Sequence, residues 1–198
     1  MEGEAHGVKK TLKVNGVVVG EFESTGDPDA DIAIMRQFLE AKGIVREVPL
    51  AKSIFMQALS FCRAASVLQE HDLTRDATTL PMVAPFVVTA TFAAELYLKV
   101  LHEVHGHSAR GHNLLDLFDG LPESTRNRIA ELAVRYGTAF GVPEVSSVTV
   151  RATVESLATA FIEWRYWYES GDAPLVKVQP LVLTLKALDE ACREAGAA

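Results

Sequence analysis

Apolar positions recur with two different periods along this chain, and the change of period divides it. Over residues 9–23 the pattern is strand-like. KTLKV and VVVGEFE flank Asn15-Gly16, a two-residue turn signal that predicts a β-hairpin. Past Asp27 the period becomes helical. Asp27 is placed to cap a helix that has Pro28 at its first position and Asp29 in its first turn. Ile32, Met35, Phe38 and Leu39 form its apolar stripe, and Gly43 ends it. This hairpin–helix appendage, residues 1–46, is too small to be stable alone.

Residues 47–198 read as helices throughout. The first runs from about Leu50 to His71, with Ile54, Phe55, Ala58, Phe61, Cys62, Ala65 and Leu68 on a wide apolar face. A second spans about Pro81 to Gly106. Asn113 caps a short helix that Gly120 ends, and Pro122 opens another reaching about Tyr136, followed by a loop from Gly137 to Ser147. Val150, Val154, Leu157, Phe161, Trp164 and Tyr168 alternate by four and three residues, which predicts one helix packed along its whole length. A last amphipathic helix covers about Pro180 to Ala195. The fold class expected is mainly α, a helical bundle with a small N-terminal hairpin and helix.

Composition narrows the function classes. With 198 residues, 48% hydrophobic and 23% charged, the chain suits one ordinary globular core. A net charge of −7 argues against broad, nonspecific nucleic-acid binding, although a contact to one nucleotide or one RNA end stays open. Two cysteines, Cys62 and Cys192, fall on apolar helix faces, as expected of a reduced cytoplasmic protein. MEGEAHGVKK has no apolar stretch, so no signal peptide is expected. Leu80 to Leu101 is interrupted by Thr89, Thr91, Glu95 and Lys99 and is expected to stay out of a membrane. GxGxxG, GxxxxGK[ST], GxSxG and CxxC are all absent, and no cofactor is expected.

Candidate chemistry collects in the second helix and just after it. Thr91, Glu95, Lys99 and His102 share one face of an otherwise apolar helix. A charge there must find a partner or reach water, because unpaired buried charge is expensive. Glu95 and Lys99, spaced i, i+4, form either a structural pair or a phosphate-binding lysine with its orienting carboxylate. Later in the chain, FIEWRYWYE places Arg165 among aromatics, with Glu169 one turn on. That arrangement is either a buried or half-buried Arg165–Glu pair tying two helices together, or a clamp in which guanidinium takes phosphate and Tyr166 stacks on a base. His102, His105, His107 and His112 do not have metal-site spacing, and no metal is expected. His112, directly before the Asn113 cap, is placed to reach back to a carboxylate on the preceding helix.

Three segments in this order carry a family likeness: Ala94-Glu95-Leu96-Tyr97-Leu98-Lys99, Gly111-His112-Asn113-Leu114-Leu115, and Phe161 with Arg165-Tyr166-Trp167-Tyr168-Glu169. Together they resemble the HEPN family of helical domains, over roughly Leu50 to Glu169. The resemblance implies an up-and-down helical bundle, usually a homodimer. Members include metal-independent ribonucleases, toxins paired with nucleotidyltransferase-like antitoxins, and inactive nucleotide- or RNA-associated modules. The ribonuclease members carry Arg, four to six residues, then His. Here Arg63 and His71 are separated by seven residues, and Arg110 and His112 by one.

The expectation is therefore a cytoplasmic HEPN-like module that binds a nucleotide, an RNA phosphate or a partner protein in a defence or toxin–antitoxin setting, without catalysis. Its polar network would be Glu95, Lys99, His112, Arg165, Tyr166 and Glu169. The alternatives are a metal-independent ribonuclease using a rearranged His112/Arg165 pair, and a purely structural network tying three helices.

Overall fold

The computed structural model describes residues 8–45, 48–70, 82–142, 147–166 and 176–198. The protein is mainly helical with one small antiparallel hairpin, and it divides into two compact units, Met1–Val48 and Pro49–Ala198.

In the first unit, β1 (Val8–Val14) pairs with β2 (Val17–Ser24) from Val8↔Ser24 to Val14↔Val17, with a bulge between Leu12 and Lys13. Asn15 and Gly16 have φ of 50° and 82°, the left-handed pair that a tight hairpin turn requires. α1 (Pro28–Ala41) starts where the Asp27 side chain accepts the Asp29 N–H. Its buried residue is a carboxylate. Asp31 accepts from the Ser24 hydroxyl, the Thr25 N–H at 2.6 Å, the Thr25 hydroxyl at 3.0 Å and Lys10 Nζ at 3.0 Å. The Ser24 hydrogen bond, helped by those from Thr25 and Lys10, outweighs desolvation and holds this carboxyl well below the usual range. One side chain thus ties both strands to the helix. Gly20 lies under the Phe38 ring, in space a Cβ would occupy.

The second unit is built round one helix. α3 (Val83–Val104) buries thirteen residues, among them Phe86, Ala90, Glu95, Tyr97, Leu98 and Leu101. α2 (Leu50–Leu68) packs along it through Phe55, Ala58 and Ala65. By length and composition α3 is also the one helix among the described residues that is apolar enough to cross a membrane, so Glu95 and Lys99 do not lower its hydropathy as far as the sequence suggests. Most of its apolar window, 61%, is buried against other helices, as in a core helix.

Among the described residues, α4 (Leu114–Asp119), α5 (Glu123–Ala139), α6 (Ser147–Ser156), α7 (Ala160–Glu163) with a 3-10 turn at Trp164–Tyr166, and α8 (Val178–Glu194) follow in the unit. α5 runs past the expected end at Tyr136, because Gly137 is a buried helical position where the helix packs closely. α5 is joined to α8 by polar contacts. Arg128 forks onto Glu194 at 2.8 and 2.7 Å, while Arg135 and the Tyr136 hydroxyl both reach Glu190. Buried Cys192 lies within 3.4 Å of the Tyr97 carbonyl, joining α8 to α3.

The continuous helix expected from Val150 to Tyr168 is not continuous. It breaks at Leu157–Thr159, where the Ala158 carbonyl accepts the Leu114 N–H at 3.1 Å from outside the helix. Val150, Val154, Leu157 and Trp164 are buried on both sides of the break, so the apolar spacing outlasts it. Tyr168 and Glu169 lie outside the described residues.

Candidate functional site

Glu95 stands mid-way along α3, with its side chain 1% exposed. Lys99, one turn on, donates from Nζ to Oε1 at 2.7 Å. The sequence spacing alone sets this pair, since i, i+4 residues share a helical face.

His112 reaches the same oxygen from another element. Gly111 has φ of 93°, a conformation that favours glycine, and turns the chain just before it. Asn113 then fixes the other side, its amide oxygen accepting the N–H groups of Leu115 at 2.9 Å and Asp116 at 3.2 Å to start α4. Held between turn and cap, His112 places Nδ1 3.0 Å from Glu95 Oε1. That oxygen already accepts from an ammonium group and so belongs to a carboxylate. Nδ1 therefore carries the proton and donates, and in the neutral ring Nε2 keeps its lone pair. The His112 side chain is 59% exposed, so one end of this chain of contacts is buried and the other meets solvent. Glu95 Oε2 is buried and meets no hydrogen-bond donor among the described residues.

An aromatic row supports the histidine. The His112 ring stacks near Phe161 with centroids 6.4 Å apart, Phe161 stacks on Phe92 at 5.0 Å, and Phe92 meets Phe61 edge-on at 4.6 Å. Arg165 lies on the exposed side of this row. Its guanidinium is 5.2 Å from the Phe161 centroid and 5.5 Å from that of Tyr166. Phe161 is thus the shared ring between His112 and Arg165. The break before α7 makes this possible, because the bond from Leu114 to Ala158 ties the His112 segment to the start of the helix that carries Phe161.

The structure brings together Glu95, Lys99 and His112, and adds Arg165 and Tyr166 through Phe161. Arg165 is not a buried tie: it is exposed, and no ion pair to it is found among the described residues. Tyr166 is 46% exposed, with the Arg165 guanidinium over its ring. Glu169 lies outside the described residues. Thr91 takes no part, its hydroxyl bonding the Val87 carbonyl at 2.7 Å. His102 is buried and donates from Nε2 to the Leu117 carbonyl at 2.8 Å, and His105 bonds Thr125 Oγ1 at 2.9 Å. Each of these histidines has a separate partner. Among the described residues no three His, Cys, Asp or Glu side chains converge on a point where a metal ion could sit.

Phe161, Phe92 and Phe61 were not candidates in the sequence. Phe161 and Phe61 fell on stripes already assigned to the core, and nothing in apolar spacing separates a core ring from one that also backs a polar site.

Compared with family models, curated proteins and solved structures, the chain matches none.

Proposed function

We propose that the helical unit is a HEPN-like cytoplasmic module that binds the phosphate of a nucleotide or an RNA end at His112 and Arg165. The observation that carries this reading is the pairing of a buried carboxylate with an exposed histidine beside an exposed arginine. Glu95 fixes the His112 ring, whose side chain is 59% exposed, while Arg165 offers a planar, always charged fork 5.2 Å from the same Phe161 ring. Lys99 neutralises the buried carboxylate, so the cationic side chains that remain exposed are available to an anion. Tyr166, beside Arg165, supplies an exposed ring on which a neighbouring base of an RNA end stacks. The acidic chain as a whole repels a long polyanion, which favours a single phosphate group over a track of them. In the family setting the module works as a homodimer opposite a nucleotidyltransferase-like antitoxin in a defence system.

One observation favours a second reading, a metal-independent ribonuclease. A carboxylate–imidazole hydrogen bond leaves Nε2 as a base able to take the proton of an attacking 2′-hydroxyl, with Arg165 stabilising charge on the scissile phosphate. A purified His112→Ala protein that cleaves RNA as fast as wild type would end that reading.

Thermal unfolding with nucleotides and short RNAs, in wild type and Arg165→Ala, tests the binding reading. A ligand at a hundred times its dissociation constant stabilises by about 2.7 kcal/mol. The expected result is a raised midpoint in wild type that is absent in a folded Arg165→Ala protein. No shift with any phosphate-bearing ligand contradicts it and leaves the network as a scaffold.

A further inference from the structure

We infer that the loop 106–113 divides one nucleotide between two places, with the phosphate at His112 and Arg165 and a guanine base in the groove on the other side of the loop. The inference rests on the phosphate reading above and names the class of ligand.

The groove has a volume of about 360 Å³ and is lined by His102, His107, Ser108, Arg110, Asp116 and Gly120. That is in the range of small-ligand pockets and ample for a base. Its floor is built rather than accidental. His102 is buried with its Nε2–H committed to the Leu117 carbonyl, and a Cβ on Gly120 would come within 3.2 Å of the His102 ring, so only glycine leaves this floor uncrowded. The site and the groove are neighbours. Glu95 and His102 are seven residues apart on one face of α3, which at 1.5 Å per residue is about 10 Å. The loop joins them directly, since Arg110 lines the groove and His112, two residues on, holds Glu95.

The polar edges decide the base. Arg110 offers a donor fork, and Asp116 offers a carboxylate that only accepts. Guanine presents acceptors at O6 and N7 for an arginine fork, and donors at N1 and N2 for a carboxylate. Adenine has no comparable set of donors for Asp116, and ribose phosphate lacks the base altogether.

The test is equilibrium binding of guanosine monophosphate, adenosine monophosphate and ribose phosphate to wild type, Arg110→Ala, Asp116→Asn and Arg165→Ala. Guanosine monophosphate should bind wild type about tenfold or more tighter than either of the others. Arg110→Ala and Asp116→Asn should abolish that preference and leave ribose phosphate unchanged, while Arg165→Ala should weaken all three. Equal binding of the three ligands to wild type, or a preference that survives both groove substitutions, overturns the inference. Ribose phosphate bound in an Arg165-dependent way without base preference removes the groove alone. A guanine preference with no Arg165 dependence removes the phosphate reading alone.

Discussion

His112 donates from Nδ1 to Glu95 Oε1 at 3.0 Å, across 17 residues of chain, and joins a buried carboxylate to an exposed ring. The pair is unequal. The Glu95 side chain is 1% exposed and the His112 side chain 59%, so each substitution in the network should have a different cost.

Lys99 is 21% exposed and is the nearer partner of Glu95. Lys99→Met leaves the carboxylate buried with only His112 to balance it. The expected loss is about 3 kcal/mol, the lower end for breaking a buried pair, because one partner remains. His112→Ala should cost no more than about 1 kcal/mol, as its contact is solvent-screened. Denaturant unfolding of both proteins checks the order.

Arg165 touches rings from the outside, so Arg165→Ala should lose only about 0.5–1 kcal/mol, the worth of an exposed cation–π contact. A loss of several kcal/mol in the same unfolding experiment would restore the buried-tie reading.

The first unit should weaken in acid. The Asp31 carboxyl is held below its usual range in the folded protein, chiefly by the Ser24 hydrogen bond. A depressed folded value stabilises above the unfolded value of about 4 and loses that contribution as pH falls below it. The Thr25 amide resonance, whose N–H donates to Asp31 at 2.6 Å, should hold its position through the ordinary carboxylate range around pH 4 and move or broaden only well below it in wild type. In Asp31→Asn it should show no such transition.

Both thiols should be slow to react. Burial pushes the Cys62 and Cys192 thiols above their ordinary value, and half-buried Cys62 is the more accessible of the two. A thiol reagent at neutral pH should label Cys62 slowly and Cys192 only on unfolding.

Much of the site was legible in the sequence, and the reason is local. The i, i+4 spacing of Glu95 and Lys99 sets their contact within one helix, and the Asn113 cap fixes the direction of His112 just before it. Asn15-Gly16 announced the hairpin in the same local way. What the sequence did not disclose depends on contacts between distant segments. The break at Leu157–Thr159 arises because Leu114 takes the Ala158 carbonyl, and apolar spacing on either side is indifferent to it. The fourfold hydrogen bonding of Asp31 arises from Lys10 on β1, Ser24 at the end of β2 and Thr25 just beyond it, which spacing within the helix does not register. Thr91 and His102 share a face with Glu95 yet bond main-chain carbonyls elsewhere, since one helical face can serve several neighbours.

The most direct test of a phosphate site formed by Arg165 and a His112 ring held by Glu95 is a nitrogen-resolved nuclear magnetic resonance titration of the histidine rings with guanosine monophosphate. The His112 ring is expected to be protonated at Nδ1 in the free protein, with an Nε2 signal that shifts in a saturable way on addition of ligand and shifts far less at the same ligand concentration in Arg165→Ala. A His112 signal that stays in place while the ligand saturates the protein, or that moves equally in Arg165→Ala, would contradict it.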